Sequence, residues 1–146
     1  MSRLLAALLL VPVAATAAPA LKERPAPEAP SVVGEWVRVG HTQAGTPVAP
    51  DAQAHHQVFG PDGTWEYTYG GGVSNRGMSY VADRKQKPPA IDIRGGGQSW
   101  RGIYKVEGDR LTLCLVTGDR DRPRTFESSG DQPTTVWVFR RVKPKD

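Results

Sequence analysis

The segment HQVFGPDGTWEYTYG, His56 to Gly70, leaves the chain little choice of local structure. Pro61 presets φ at a turn position, Asp62 tolerates the next one, and Gly63 supplies the left-handed residue that closes a bulged turn. On the far side of that turn Trp65, Tyr67 and Tyr69 share one face while Glu66 and Thr68 share the other, the period of two that marks a half-buried strand. The segment is a β-hairpin by its chemistry.

The same signature recurs along the chain, and helical spacing is nearly absent. SVVGEWVRVG alternates around Trp36, with Val37 and Val39 on one parity and Trp36 and Arg38 on the other. MSYVAD (Met78 to Asp83) reads as a short strand, and AIDIR places Ile91 and Ile93 opposite Asp92 and Arg94. SWRGIYKV turns through Glu107-Gly108-Asp109 into RLTLCLV, a hairpin signal between two apolar runs. RTFES and TTVWVFRRV form a last expected pair around Ser129 to Pro133. About eight short strands joined by glycine-rich turns predict an all-β fold, a barrel or a sandwich. Strand order between Gly34 and Pro88 stays open at this level.

The N-terminus sets the expected compartment. Arg3 precedes an uncharged apolar run from Leu4 to Ala17, which ends in the small-x-small pattern Ala15-Thr16-Ala17. Residues 1–17 therefore read as a signal peptide, too short and too interrupted by Pro12 for a comfortable membrane span, which takes about 20 apolar residues. Residues 18–31, rich in Ala and Pro, read as an extended tether, and 32–143 as one barrel domain. The expected location is periplasmic or extracellular, without stable membrane insertion after cleavage. One cysteine, Cys114, rules out an internal disulfide, so packing and hydrogen bonds must hold the domain.

Charge points to no special partner. The formal net charge is +4, and GDRDRPR, Gly118 to Arg124, interleaves acids and bases where a nucleic-acid binder would cluster its cations. No nucleic-acid partner is expected.

Several motifs carry a resemblance. Gly34-Glu35-Trp36 is a G-x-W in the first strand and Arg140-Arg141 close the last; this resembles a lipocalin-type barrel, in which the tryptophan plugs the base and a late arginine stacks over it. The runs P-x-x-I-D-I (Pro88 to Ile93), G-I-Y-x-V-x-G-D-x-L-x-L-C (Gly102 to Cys114) and R-P-x-x-F (Arg122 to Phe126) resemble an uncharacterised planctomycete family of exported lipocalin-like domains. That resemblance implies a small antiparallel lipocalin-like β-barrel with a signal peptide and no assigned activity. Physics supports the stacked pair independently, since a guanidinium over an indole gains about 0.5 to 2 kcal/mol. Alternation puts Arg140 and Arg141 on opposite faces, and either could turn inward.

Candidate chemistry is sparse. His41, His55, His56 and Asp51 are the metal-ligand candidates, and adjacent histidines in a strand point to opposite faces, so no metal site is expected. Glu66 and Asp92 lie on the polar faces of their strands, and no G-x-S-x-G elbow or P-loop is present. Neither an enzymatic activity nor a cofactor is expected. Cys114 sits in a strand far from any histidine, which predicts a buried, inert thiol. Trp65, Tyr67, Tyr69, Trp100 and Tyr104 are the expected lining if the barrel encloses a small hydrophobic or aromatic ligand. The alternative is a structural or protein-interaction module with a filled barrel, docking through an edge strand or the RKQKPP loop.

Overall fold

The computed structural model describes residues 31–49, 55–68, 70, 72 and 74–143. The expectations for 1–17 and for 18–30, together with Asp51 and Tyr69, lie outside the described residues. The strands are β1 (Gly34–Gln43), β2 (Thr46–Pro47), β3 (His56–Phe59), β4 (Thr64–Thr68), β5 (Ser74–Asp83), β6 (Ala90–Gly95), β7 (Gln98–Glu107), β8 (Arg110–Thr117) and β9 (Thr135–Arg141). No helix occurs among the described residues.

Pairing is antiparallel throughout and runs β1-β3-β4-β5-β6-β7-β8-β9, and β9 returns to pair with β1. The sheet thus closes on itself as an eight-stranded barrel, with β2 an extra ribbon folded back on the end of β1. Closure removes the open edges that would otherwise invite association. The result is an all-β, lipocalin-like up-and-down barrel. Chain order and sheet order agree, which resolves the region between Gly34 and Pro88. Turn chemistry explains the agreement. At Gly60–Gly63 the Gly60 N–H donates to Thr64 O at 2.8 Å, and at Gly96-Gly97 both residues adopt positive φ, as a two-residue hairpin loop requires.

Two segments differ from their sequence reading. The strand expected over MSYVAD begins earlier, at Ser74, because β4 and β5 keep pairing out to Thr68 and Ser74. RTFES is no strand: residues 118–134 form one irregular connection between β8 and β9. In place of strand pairing, Ser128 Oγ donates to Thr134 O at 2.8 Å, Thr134 Oγ1 to Glu127 O at 3.1 Å, and the Gln132 N–H to Ser129 Oγ at 3.1 Å.

A register shift between Arg38 and Gly40 marks a β-bulge against β9. Simple alternation would put His41 on the same side as Val37 and Val39; the bulge instead pairs it with Trp137, their rings 6.3 Å apart. Trp36, Arg38 and His41 then follow the lumen side while Val39 is exposed.

Midway along the barrel the lumen is filled. Ile91, Ile93, Leu111, Leu113, Leu115 and Phe139 are each at most 1% exposed, and burying such a side chain contributes about 1.5 to 3 kcal/mol. One end is sealed by Val32, Trp36, Phe59 and Tyr80, all in the buried core. There Trp36 Nε1 donates to Val32 O at 2.7 Å, which folds the incoming chain across the base. The Arg141 guanidinium lies 4.0 Å from the Trp36 ring centroid and donates to Val33 O and Ser31 O at 3.0 and 3.2 Å. Gly34 leaves room for it: its φ is +136°, and a Cβ there would come 2.5 Å from Arg141 Nη1. Arg140 is exposed on the opposite face.

The outer wall over β6, β7 and β8 is covered as well. Ile103, Thr112, Cys114 and Val116 lie on the outward parity yet are buried. Their cover is the 118–134 connection. Arg122 pins it, donating from Nη1 to Ile91 O at 3.1 Å and Gly102 O at 2.7 Å while Nη2 sits 2.8 Å from Asp92 Oδ1. Lys105 Nζ lies 5.3 Å from the Phe126 ring centroid, and Ser128 Oγ accepts from Gly45 N at 2.9 Å, tying the same connection to the β1–β2 turn.

Candidate functional site at the barrel mouth

The end opposite Trp36 is not sealed. Here β6 and β7 meet at the two-residue turn Gly96-Gly97, and the packed lumen gives way to a cavity of about 450 Å³. That volume falls in the range of small-molecule sites, about 300 to 1,000 Å³. Its aromatic wall is Trp65, Tyr67, Trp100 and Trp137. Strand register brings them together: Trp65 and Tyr67 alternate inward on β4, Trp100 stands opposite Ile93, and Trp137 stands opposite Leu113. Trp65 and Trp100 meet edge to face, centroids 6.1 Å apart, and Trp65 and Tyr67 are 5.2 Å apart. Phe59 continues this series toward the floor, 6.3 Å from Trp65 and 5.0 Å from Tyr80.

Polar groups converge on the same space. Arg38 and Gln57 come from neighbouring strands on the lumen side, with His55 just before β3; Asn75, Arg76 and Gln98 stand nearer the rim. Gln57 is buried, and its Oε1 accepts from Trp65 Nε1 at 3.1 Å. Because an indole can only donate, this bond assigns the amide oxygen and leaves the amino group, a donor, as the other end of the side chain. Trp137 Nε1 is buried without a hydrogen-bond partner. Native structures leave few such groups, and each costs about 1 to 3 kcal/mol.

The expected lining therefore divides. Trp65, Tyr67 and Trp100 line the mouth cavity, whereas Tyr104 belongs to the sealed end, bordering a separate depression with Tyr80, Ala82 and Arg84. Placing Tyr104 with the others is corrected by register: it stands opposite Leu113 two strand steps deeper than Leu115. Burial pushes both the Tyr80 and Tyr104 phenols up from their ordinary range. Sequence reading missed Trp137, Arg38 and His55 as wall residues. For Trp137 the period-two pattern with Phe139 was a usable signal; for Arg38, sharing parity with Trp36 was.

The remaining candidates lie elsewhere. His55 and His56 do point apart, His55 to the cavity and His56 to Glu35, with Nδ1 3.3 Å from Oε1. Among the described residues no group of three or more His, Cys, Asp or Glu is placed to hold a metal ion. Asp92 faces outward to Arg122, and Glu66 pairs loosely with Arg76 at 3.9 Å. Cys114 is wholly buried beneath the 118–134 connection; burial pushes its thiol up, opposed in part by a hydrogen bond with Thr134. A raised thiol holds little thiolate, so this is not the environment of a nucleophile.

Comparison of the chain with models of protein families, with curated proteins and with solved structures finds no match. What is known of its architecture therefore comes from its own strand pairing: a closed, lipocalin-like barrel with one sealed and one open end.

Proposed function

We propose that the protein is an exported cell-envelope domain that binds one small molecule in the mouth of its barrel. It would then belong with the exported lipocalin-like domains that its G-x-W, I-D-I and R-P-x-x-F motifs resemble. The observation that carries the proposal is the cavity of about 450 Å³ walled by three of the chain's four tryptophans. Aromatic side chains on a barrel interior normally pack against one another until space is filled. Here they stop short of filling it, and polar groups converge on what is left. Export rests on the apolar run from Leu4 to Ala17 and its Ala15-Thr16-Ala17 end.

A second reading has its own support: the lumen below the cavity is solidly packed, as in a barrel that serves only as a scaffold for protein contacts. Native mass spectrometry of the protein purified from the envelope of its own cells separates the two. A one-to-one mass increment from a small molecule is the expected result. An empty barrel that co-purifies with a protein partner would overturn ligand binding in favour of the scaffold.

A further inference from the structure

We infer that the ligand of the mouth cavity is an uncharged planar aromatic molecule whose ring carries a carbonyl-type acceptor. This rests on the cavity being a binding site and names what it selects. Two donors in the wall carry the inference. Trp137 Nε1 is buried with no hydrogen-bond acceptor among the described residues, and an indole can only donate. Gln57, 4% exposed, has its oxygen tied to Trp65 Nε1 at 3.1 Å, so the end of its side chain left for a ligand is the amino group, with two N–H donors. The two arginines of the wall ask for nothing: Arg38 is already engaged within the protein, and Arg76 pairs with Glu66 at the rim. A ligand that completes this set brings an acceptor and needs no charge.

Shape narrows the class. The walls are flat rings, Trp65 and Trp100 at 74° to each other, which suits a planar ring system held by one face and one edge. A carbonyl conjugated to such a ring lies in its plane, so the oxygen projects from the ring edge while the faces stay on the indoles. A site that bonds a polar group rejects an isostere lacking it far more strongly than an apolar pocket does, because its buried donor is then left unmet. Burial of apolar area alone gives the opposite ranking, with the more apolar isostere bound tighter.

The test uses two probes of nearly one shape, 2-acetylnaphthalene and 2-isopropenylnaphthalene, in which a CH₂ group replaces the carbonyl oxygen. The folded protein is titrated calorimetrically into a dilute solution of each at neutral pH. The ketone is expected to bind at least about tenfold tighter than the alkene, against the order of their hydrophobicity. Gln57→Glu, which keeps an oxygen for Trp65 and replaces the amino group, should erase that preference. Trp137→Phe, which keeps an aromatic ring and deletes the N–H, should weaken the ketone about three- to tenfold and leave the alkene within about twofold. The second variant carries the test if the first fails to fold. Equal binding of the two probes, tighter binding of the alkene, or a ketone preference that survives both substitutions would overturn the inference and leave the binding site standing. Failure of both probes to bind would overturn the binding site itself.

Discussion

Gly34, Trp36 and Arg141 depend on one another through atoms, which is why the sealed end needs all three. The indole supplies a flat surface, the guanidinium covers it and ties down Val33 and Ser31, and the glycine leaves the space that the guanidinium occupies. Losing one cation–π contact and two charge-assisted hydrogen bonds at a partly exposed site should cost about 2 to 3 kcal/mol. Arg141→Ala is therefore expected to destabilise by that amount in denaturant unfolding, and Arg140→Ala by less than about 0.5 kcal/mol. Alternation alone showed that the two arginines face opposite ways; only the pairing of Trp36 with Arg141 tells which is inward. Cys114 allows a second test at the same scale. Its native thiol is raised, so above about pH 8.5 the unfolded chain releases a proton that the native state still holds, and stability falls as pH rises. Tyr80 and Tyr104, raised as well, add to that fall from about pH 10. Stability measured across the alkaline range should decline in two stages, and Cys114→Ala should lack the first.

At the scale of elements, the 118–134 connection is where sequence reading and structure part most. RTFES has the composition of a strand, but β9 already has β8 on one side and β1 on the other, so no edge remains for another strand to pair with. The segment instead lies on the outer wall, and three motifs distant in sequence meet under it. Asp92 of I-D-I and Gly102 of the G-I-Y run both receive Arg122 of R-P-x-x-F, while Cys114 lies beneath. Residue order made these motifs visible; what united them was the pairing of β6, β7 and β8, which sequence does not display. Arg122→Ala should cost about 2 kcal/mol, discounted because the ion pair is partly exposed, and should loosen the cover without opening the barrel. The expected readout is faster reaction of Cys114 with a thiol reagent in the native protein, with the tryptophan environment unchanged. A thiol as slow as in the unaltered protein would show that Arg122 does not hold the cover.

Across the whole molecule, the alternating runs and their turn residues were enough to read an all-β fold, a barrel or a sandwich, because each hairpin is specified locally; the lipocalin resemblance pointed to the barrel, and the pairing of β9 with β1 is what shows closure. The two ends were harder to tell apart. Trp36, Trp65, Trp100 and Trp137 look alike as inward aromatics, yet the first is the floor and the other three wall the mouth, a difference set by register and by the bulge at Arg38 to Gly40. That division makes the four indole N–H groups separate reporters of where a ligand goes. Nitrogen-15 NMR of the indoles during titration with a planar aromatic probe, 2-naphthalenemethanol, is the most direct measurement. The signals of Trp65, Trp100 and Trp137 should move with a common saturation curve while that of Trp36, bonded to Val32 at the sealed end, stays in place. Movement of Trp36 with the three others unchanged, or no movement at all, would contradict a ligand site in the barrel mouth.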